Sequence, residues 1–275
     1  MVEENKPYVD AGSALAAPFR RSKKQRTSGE SDGVSPGTCA LPGEDVKPAL
    51  PAPVKLSPTD RAPQTSITND LTLSSSRGYR TVRATHGVSS GAWYYEVTVE
   101  SLGQTGAARI GWATAVAELQ GPVGGDAKGY SYRSLEGSKV HAGVRADYGS
   151  AWGERDVIGC LLVLPPPPAS RTEAGEEAVA SASGSVFFFK NGEAQGEAFS
   201  GIPLATYYPA VSLYTHASQP TPARVSVNFG ATPLAICGGR DGSEALAAAV
   251  QVPTVEPVAA LSLAVSAPPR ALGAP

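Results

Sequence analysis

Aromatic residues are almost missing from both ends of this 275-residue chain. Of its 19 Phe, Trp and Tyr residues, 17 fall between Tyr79 and Phe229; only Tyr8 and Phe19 precede that window and none follows it. A segment without large rings buries too little apolar surface to offset the entropy lost on ordering it. Composition therefore predicts a disordered N-terminal segment over 1–66, rich in Pro, Ser, Gly and Lys. It also predicts an Ala/Val/Pro-rich tail over 233–275, with room for a short helix at SEALAAAV.

Cysteine is scarce as well. Cys39, Cys160 and Cys237 are far apart and form no CxxC pair, which argues against a disulfide framework and a structural zinc site and suits a reducing compartment. Neither sign of charge dominates: 23 Lys and Arg stand against 25 Asp and Glu, a formal net charge of −2. A global basic field for nucleic acid is absent, and so is a strongly acidic surface. Long apolar runs are lacking too. The longest candidate, VEPVAALSLAV at 255–265, is too short for a bilayer and carries Glu256 and Pro257. The start, MVEENKPYVD, has no apolar core of a secretory signal. The expectation is a soluble intracellular protein without a membrane partner.

Signatures of catalysis are missing in the same way. There is no GxSxG; His86, His141 and His216 show no HxH or HExxH spacing; GPVGG at 121–125 lacks the GK[ST] ending of a P-loop. The stretch RATHGVSSGAWYYEVTV places Arg83, His86 and Glu96 near one another. The bland reading is a turn histidine between two strands and a glutamate on a solvated strand face. No enzyme, cofactor or metal is expected.

What is present is alternation. In AWYYEVTVE, Trp93, Tyr95, Val97 and Val99 share one face, the period of a half-buried strand. RVSVNFG repeats it, with Val225, Val227 and Phe229 inward. VIGCLLVL at 157–164 suits a central strand covered on both faces, and Asn191-Gly192 in SVFFFKNGEAQGEAF suits a type I′ hairpin turn. GYRTVRA, AARIGWA and YYPAVSL add short strands. The polar stretch 165–184 reads as a surface insertion. Many strands with Gly/Pro punctuation and no long helical period predict an all-β antiparallel sandwich. Arg109 shares its face with Ala107 and Gly111, small residues that leave room for a ligand chain.

GAWYYEV, RIGWA, GERDVIGCLLVL, FFFKNGEAQGEAF and YYPAVSLY, in that order, resemble a SPRY domain over 67–232. DRAPQ, GYRTVRATHGVSSGAWYYEVTV, LQGPVGGDAKGYSYRS and VSVNFG are similar to the Ash-two/Bre-two subunits of COMPASS-type complexes, which methylate lysine 4 of histone H3. The resemblance implies a nuclear, non-catalytic SPRY scaffold that binds an acidic segment of a WD40 subunit and helps activate a SET-domain methyltransferase. It places the groove arginines at Arg109 and Arg133, the groove proline at Pro122 and an edge tyrosine at Tyr79. The chain departs from the family at Gly125, where a second groove tyrosine is expected. It has one cysteine where animal members carry a zinc-binding and winged-helix region. The tail lacks the pattern of the helix that docks a small dimeric dpy-type subunit, so that partner is left open. The run Arg20, Arg21, Lys23, Lys24, Arg26 reads as a nuclear import signal, with weak DNA-phosphate contact or plain solvated charge as the other readings. The alternative class, a SPRY substrate-recognition adaptor of a ubiquitin ligase, calls for a RING, B-box or SOCS-box that is not visible.

Overall fold

A computed structural model describes residues 52–166, 183–232, 234 and 256–258. The basic run, the SEALAAAV segment and most of the 165–184 insertion lie outside the described residues. The described chain is built from strands: β1 (Leu56–Arg61), β2 (Ser66–Thr68), β3 (Thr72–Ser75), β4 (Arg80–Ala84), β5 (Gly91–Ser101), β6 (Ala107–Thr114), β7 (Gly129–Arg133), β8 (Lys139–His141), β9 (Val144–Ala146), β10 (Val157–Leu164), β11 (Gly184–Lys190), β12 (Glu193–Ile202), β13 (Tyr207–Tyr214), β14 (Ala223–Asn228) and β15 (Glu256–Pro257). They form two sheets. Sheet A runs β1-β4-β13-β6-β7-β8-β9; sheet B runs β12-β11-β10-β5-β14-β3-β2, with β15 added beside β5.

The core lies between the sheets because alternate residues of each strand point inward. Sheet A contributes Val82, Ala108, Ile110, Trp112 and Val211; sheet B contributes Tyr95, Val97, Val99, Ile158, Cys160, Leu162, Phe188 and Val225, all buried in one cluster. Tyr95 meets Trp112 edge to face, with ring centroids 5.2 Å apart, an arrangement that stabilises the centre beyond its buried area. Val227 and Phe229 are buried as expected, whereas Trp93 is only half-buried, its indole N–H turned to the Ser90 carbonyl at 2.6 Å. β10 is central, between β5 and β11. Asn191 and Gly192 have φ of 52° and 86°, as a type I′ turn requires.

Both predicted domain limits need correction. The folded region begins well before residue 67: Val54 and Leu56 lie in the core and β1 pairs with β4. It also does not end at 232. β15 runs parallel to β5 with Glu256 opposite Trp93, in the lane that β14 leaves at Asn228, and Val258 is fully buried in the core. Composition averages over a window, and two or three anchoring residues inside a Pro-rich or Ala-rich stretch are diluted in it.

Candidate functional site

Arg83, His86 and Glu96 do not form one site. Arg83 leaves β4 on the outer face of sheet A. Its Nε and Nη2 donate to the two Asp60 carboxylate oxygens at 2.6 and 2.7 Å, and Nη2 and Nη1 donate to the carbonyls of Ala115 and Ala117 at 2.7 and 2.9 Å. Although it borders a cleft of about 650 Å³ with Asp60, Val116, Glu118 and Asp126, its donors are spent on tying that loop to β1. Glu96 belongs to the outer face of sheet B, across the sandwich. The expectation of a solvated glutamate fails: Glu96 is buried and accepts a hydrogen bond from the Tyr94 hydroxyl at 2.9 Å. The outer face of sheet B has its own apolar cluster of Ala92, Tyr94, Leu161 and Phe189, so alternation gave the direction of Glu96 correctly and its exposure wrongly. The His86 Nδ1 is 2.9 Å from the Thr85 hydroxyl, a local contact in the link between two strands.

Arg109 and Arg133 are brought together. Alternation along β6 sends Ala108, Ile110 and Trp112 to the core and Ala107, Arg109, Gly111 and Ala113 to the outer face of sheet A. Arg133 of β7 stands directly opposite Arg109 in the ladder. The room expected beside the small residues is partly filled by the chain's own loop 121–125: Val123 packs with Ala113 and Ala210, and its backbone N–H donates to Ser212 Oγ at 3.1 Å. That loop is one wall of the site and carries half-buried Pro122. Tyr79 closes one end, with the Arg109 guanidinium carbon 5.0 Å from its ring centroid, a cation–π contact. All four predicted groove residues therefore sit around one patch.

The electrostatics of the patch are unusual for an apo surface. Two like charges directly opposite on adjacent strands destabilise a sheet. Arg109 is 6% and Arg133 7% exposed, and the Nε of each is buried without a hydrogen-bond partner. Arg109 Nη1 reaches the Val123 carbonyl at a long 3.5 Å, and its other neighbour is Tyr79. Burial pushes its guanidinium below the ordinary value; Tyr79 opposes this, and Arg145 and Arg133 add to it. Arg145, on β9, pairs with Val140, which pairs with Ser131 on the Arg133 face, so it is a third cation on this side. Sequence reading missed it because β9 has only three residues and the turn into it, Ala142-Gly143 with φ of 50° and 75°, is marked in the sequence by its glycine alone. Such an arrangement is suited to an anion: desolvated guanidinium groups make strong charge-assisted bonds to carboxylates.

The SPRY domain family matches residues 92–165. The chain is 35% identical over 217 residues to the Set1/Ash2 histone methyltransferase complex subunit ASH2 of Drosophila melanogaster, covering 69% of this chain and 38% of that protein. It carries a SPRY domain and is a homologue of the Ash2 subunits. The Caenorhabditis elegans subunit ash-2 of the same complex is 32% identical over 215 residues, covering 65% of this chain and 37% of that one. The chain thus spans under two fifths of the length of either relative. The E3 ubiquitin-protein ligase RKP of Arabidopsis thaliana is 33% identical over 170 residues, 60% of this SPRY-bearing chain and 11% of that protein. Among solved structures, the SPRY domain of human HERC1 is similar, with a TM-score of 0.48 and 22% identity over 65% of this chain and 99% of that one.

Proposed function

We propose that this chain is a non-catalytic SPRY scaffold of a COMPASS-type complex methylating lysine 4 of histone H3. It holds an acidic segment of the WD40 subunit on the outer face of sheet A and helps activate the SET subunit, in the nucleus. The observation that carries this reading is the facing pair Arg109 and Arg133, nearly buried, each with an unpartnered Nε. Acidic side chains on a bound segment relieve that repulsion by pairing with the guanidinium groups, while Pro122 and Tyr79 give apolar contact. A rigid sandwich that holds the segment lowers the entropy cost of ordering the active assembly.

Isothermal titration with an acidic segment of the WD40 subunit tests it. Arg109→Ala and Arg133→Ala are each expected to lose about 1.5–3 kcal/mol, roughly tenfold to a hundredfold in affinity, with the double variant non-additive because both cations serve one ligand. Wild-type affinity in both folded variants would refute it. The similarity to RKP keeps a second reading, a substrate-recognition adaptor of a ubiquitin ligase. Affinity purification separates the two by whether methyltransferase or ligase subunits are recovered.

A further inference from the structure

Arg133 is engaged before any ligand arrives. Its Nη1 donates to Glu136 Oε2 at 2.7 Å and to the Leu135 carbonyl at 3.3 Å. The two partners differ sharply in environment: the Arg133 side chain is 8% exposed and the Glu136 side chain 74%. A solvated carboxylate therefore reaches back over a guanidinium that is otherwise shut in. The backbone enforces this. Glu136 and Gly137 are consecutive left-handed residues, with φ of 61° and 62°. The turn that holds them is pinned on several sides: the Ser134 N–H donates to the Ala108 carbonyl at 2.9 Å, the Arg133 N–H to the Ser138 carbonyl at 2.9 Å, and the Gly149 N–H to the Gly137 carbonyl at 2.9 Å. Arg109, directly opposite, has no acidic partner among the described residues.

An ion pair with one partner so exposed is weak in water and easily exchanged. A single incoming carboxylate that takes Arg133 replaces one such contact by another and gains little. A segment that covers Arg109 at the same moment gains a contact the free chain does not have. We propose that Glu136 is an internal stand-in for the ligand's carboxylate and determines specificity, making the patch respond to clustered acids and discount isolated ones. This rests on the acidic-segment reading above.

The test uses the full chain and two synthetic peptides in a glycine–serine context, one with four consecutive glutamates and one with a single glutamate, titrated by fluorescence anisotropy. Glu136→Gln is expected to tighten binding about twofold to fivefold, more for the single-glutamate peptide, so that discrimination between the two narrows. The gain should vanish in the Arg133→Ala background. Weaker binding by Glu136→Gln would show that the carboxylate positions Arg133 and overturn the proposal. Unchanged binding, unchanged discrimination, or a gain that persists without Arg133 would overturn it too, the last because it would be a general charge effect. If Arg109→Ala and Arg133→Ala bind like wild type, the acidic-segment reading itself falls first.

Discussion

At the scale of residues, the neighbouring glycines of the 121–125 loop make opposite demands. Gly124 has φ of 76°, and a Cβ there would lie 2.3 Å from the Val140 carbonyl oxygen. Gly124→Ala is therefore expected to cost on the order of 1–3 kcal/mol, read by urea unfolding, and to loosen the wall over Arg109. Gly125 is outside the left-handed region, exposed, and a Cβ would meet the Pro122 carbonyl oxygen at 3.0 Å. Gly125→Tyr should fold with a small shift of Pro122 and strengthen binding of the acidic segment by placing a ring beside the patch; weaker binding in a stable variant would show that the ring obstructs the patch. Arg109, Arg133, Pro122 and Tyr79 were singled out because each sits in a matching motif, and the fold gathers them around one patch. Arg145 was not, since a three-residue strand has no periodicity. Nor was the burial of Glu96, because alternation tells which side a residue takes and not what covers that side.

At the scale of elements, the long strands were legible and the short boundary strands were not. β5 and β14 carry the two-residue period and β10 a continuous apolar run, and their core assignments hold except at half-buried Trp93. β1 begins LSPTDR, where Pro58 and the polar residues read as linker, yet Leu56 is buried and Asp60 anchors Arg83. β15 is two residues long and its anchor, Val258, is one side chain. Ending the chain before Glu256 is expected to remove a buried valine contribution of about 1.5–3 kcal/mol. In a domain of this size that lowers Tm by roughly 5–10 °C. An unchanged Tm by calorimetry would mean β15 adds nothing to the fold.

At the scale of the whole molecule, two consequences are independent of the groove. If the basic run acts as an import signal, replacing Arg20, Arg21, Lys23, Lys24 and Arg26 by alanine lowers nuclear accumulation of a tagged chain while its melting curve stays unchanged; equal nuclear signal would leave the run as solvated charge. The second concerns alkaline stability. The core between the sheets and its margin hold tyrosines that are buried or half-buried. Burial raises Tyr95, Tyr148 and Tyr207 above the ordinary value and pushes Tyr132 up to about 12, the charge of Asp156 adding to the last. An unfolded tyrosine ionises near pH 10. Between that pH and about 12 the folded chain therefore holds more protons than the unfolded one, so stability falls as pH rises. Tyr132 donates its proton to the Ser150 carbonyl, a bond that ionisation abolishes. Urea unfolding at about pH 8, 10 and 11, with tyrosinate absorbance as the proton count, should show a midpoint that is flat at first and then drops. Tyr132→Phe should begin less stable at neutral pH, for want of that hydrogen bond, and lose less on going alkaline. A slope identical to wild type would mean that Tyr132 ionises in the folded chain as freely as in the unfolded one.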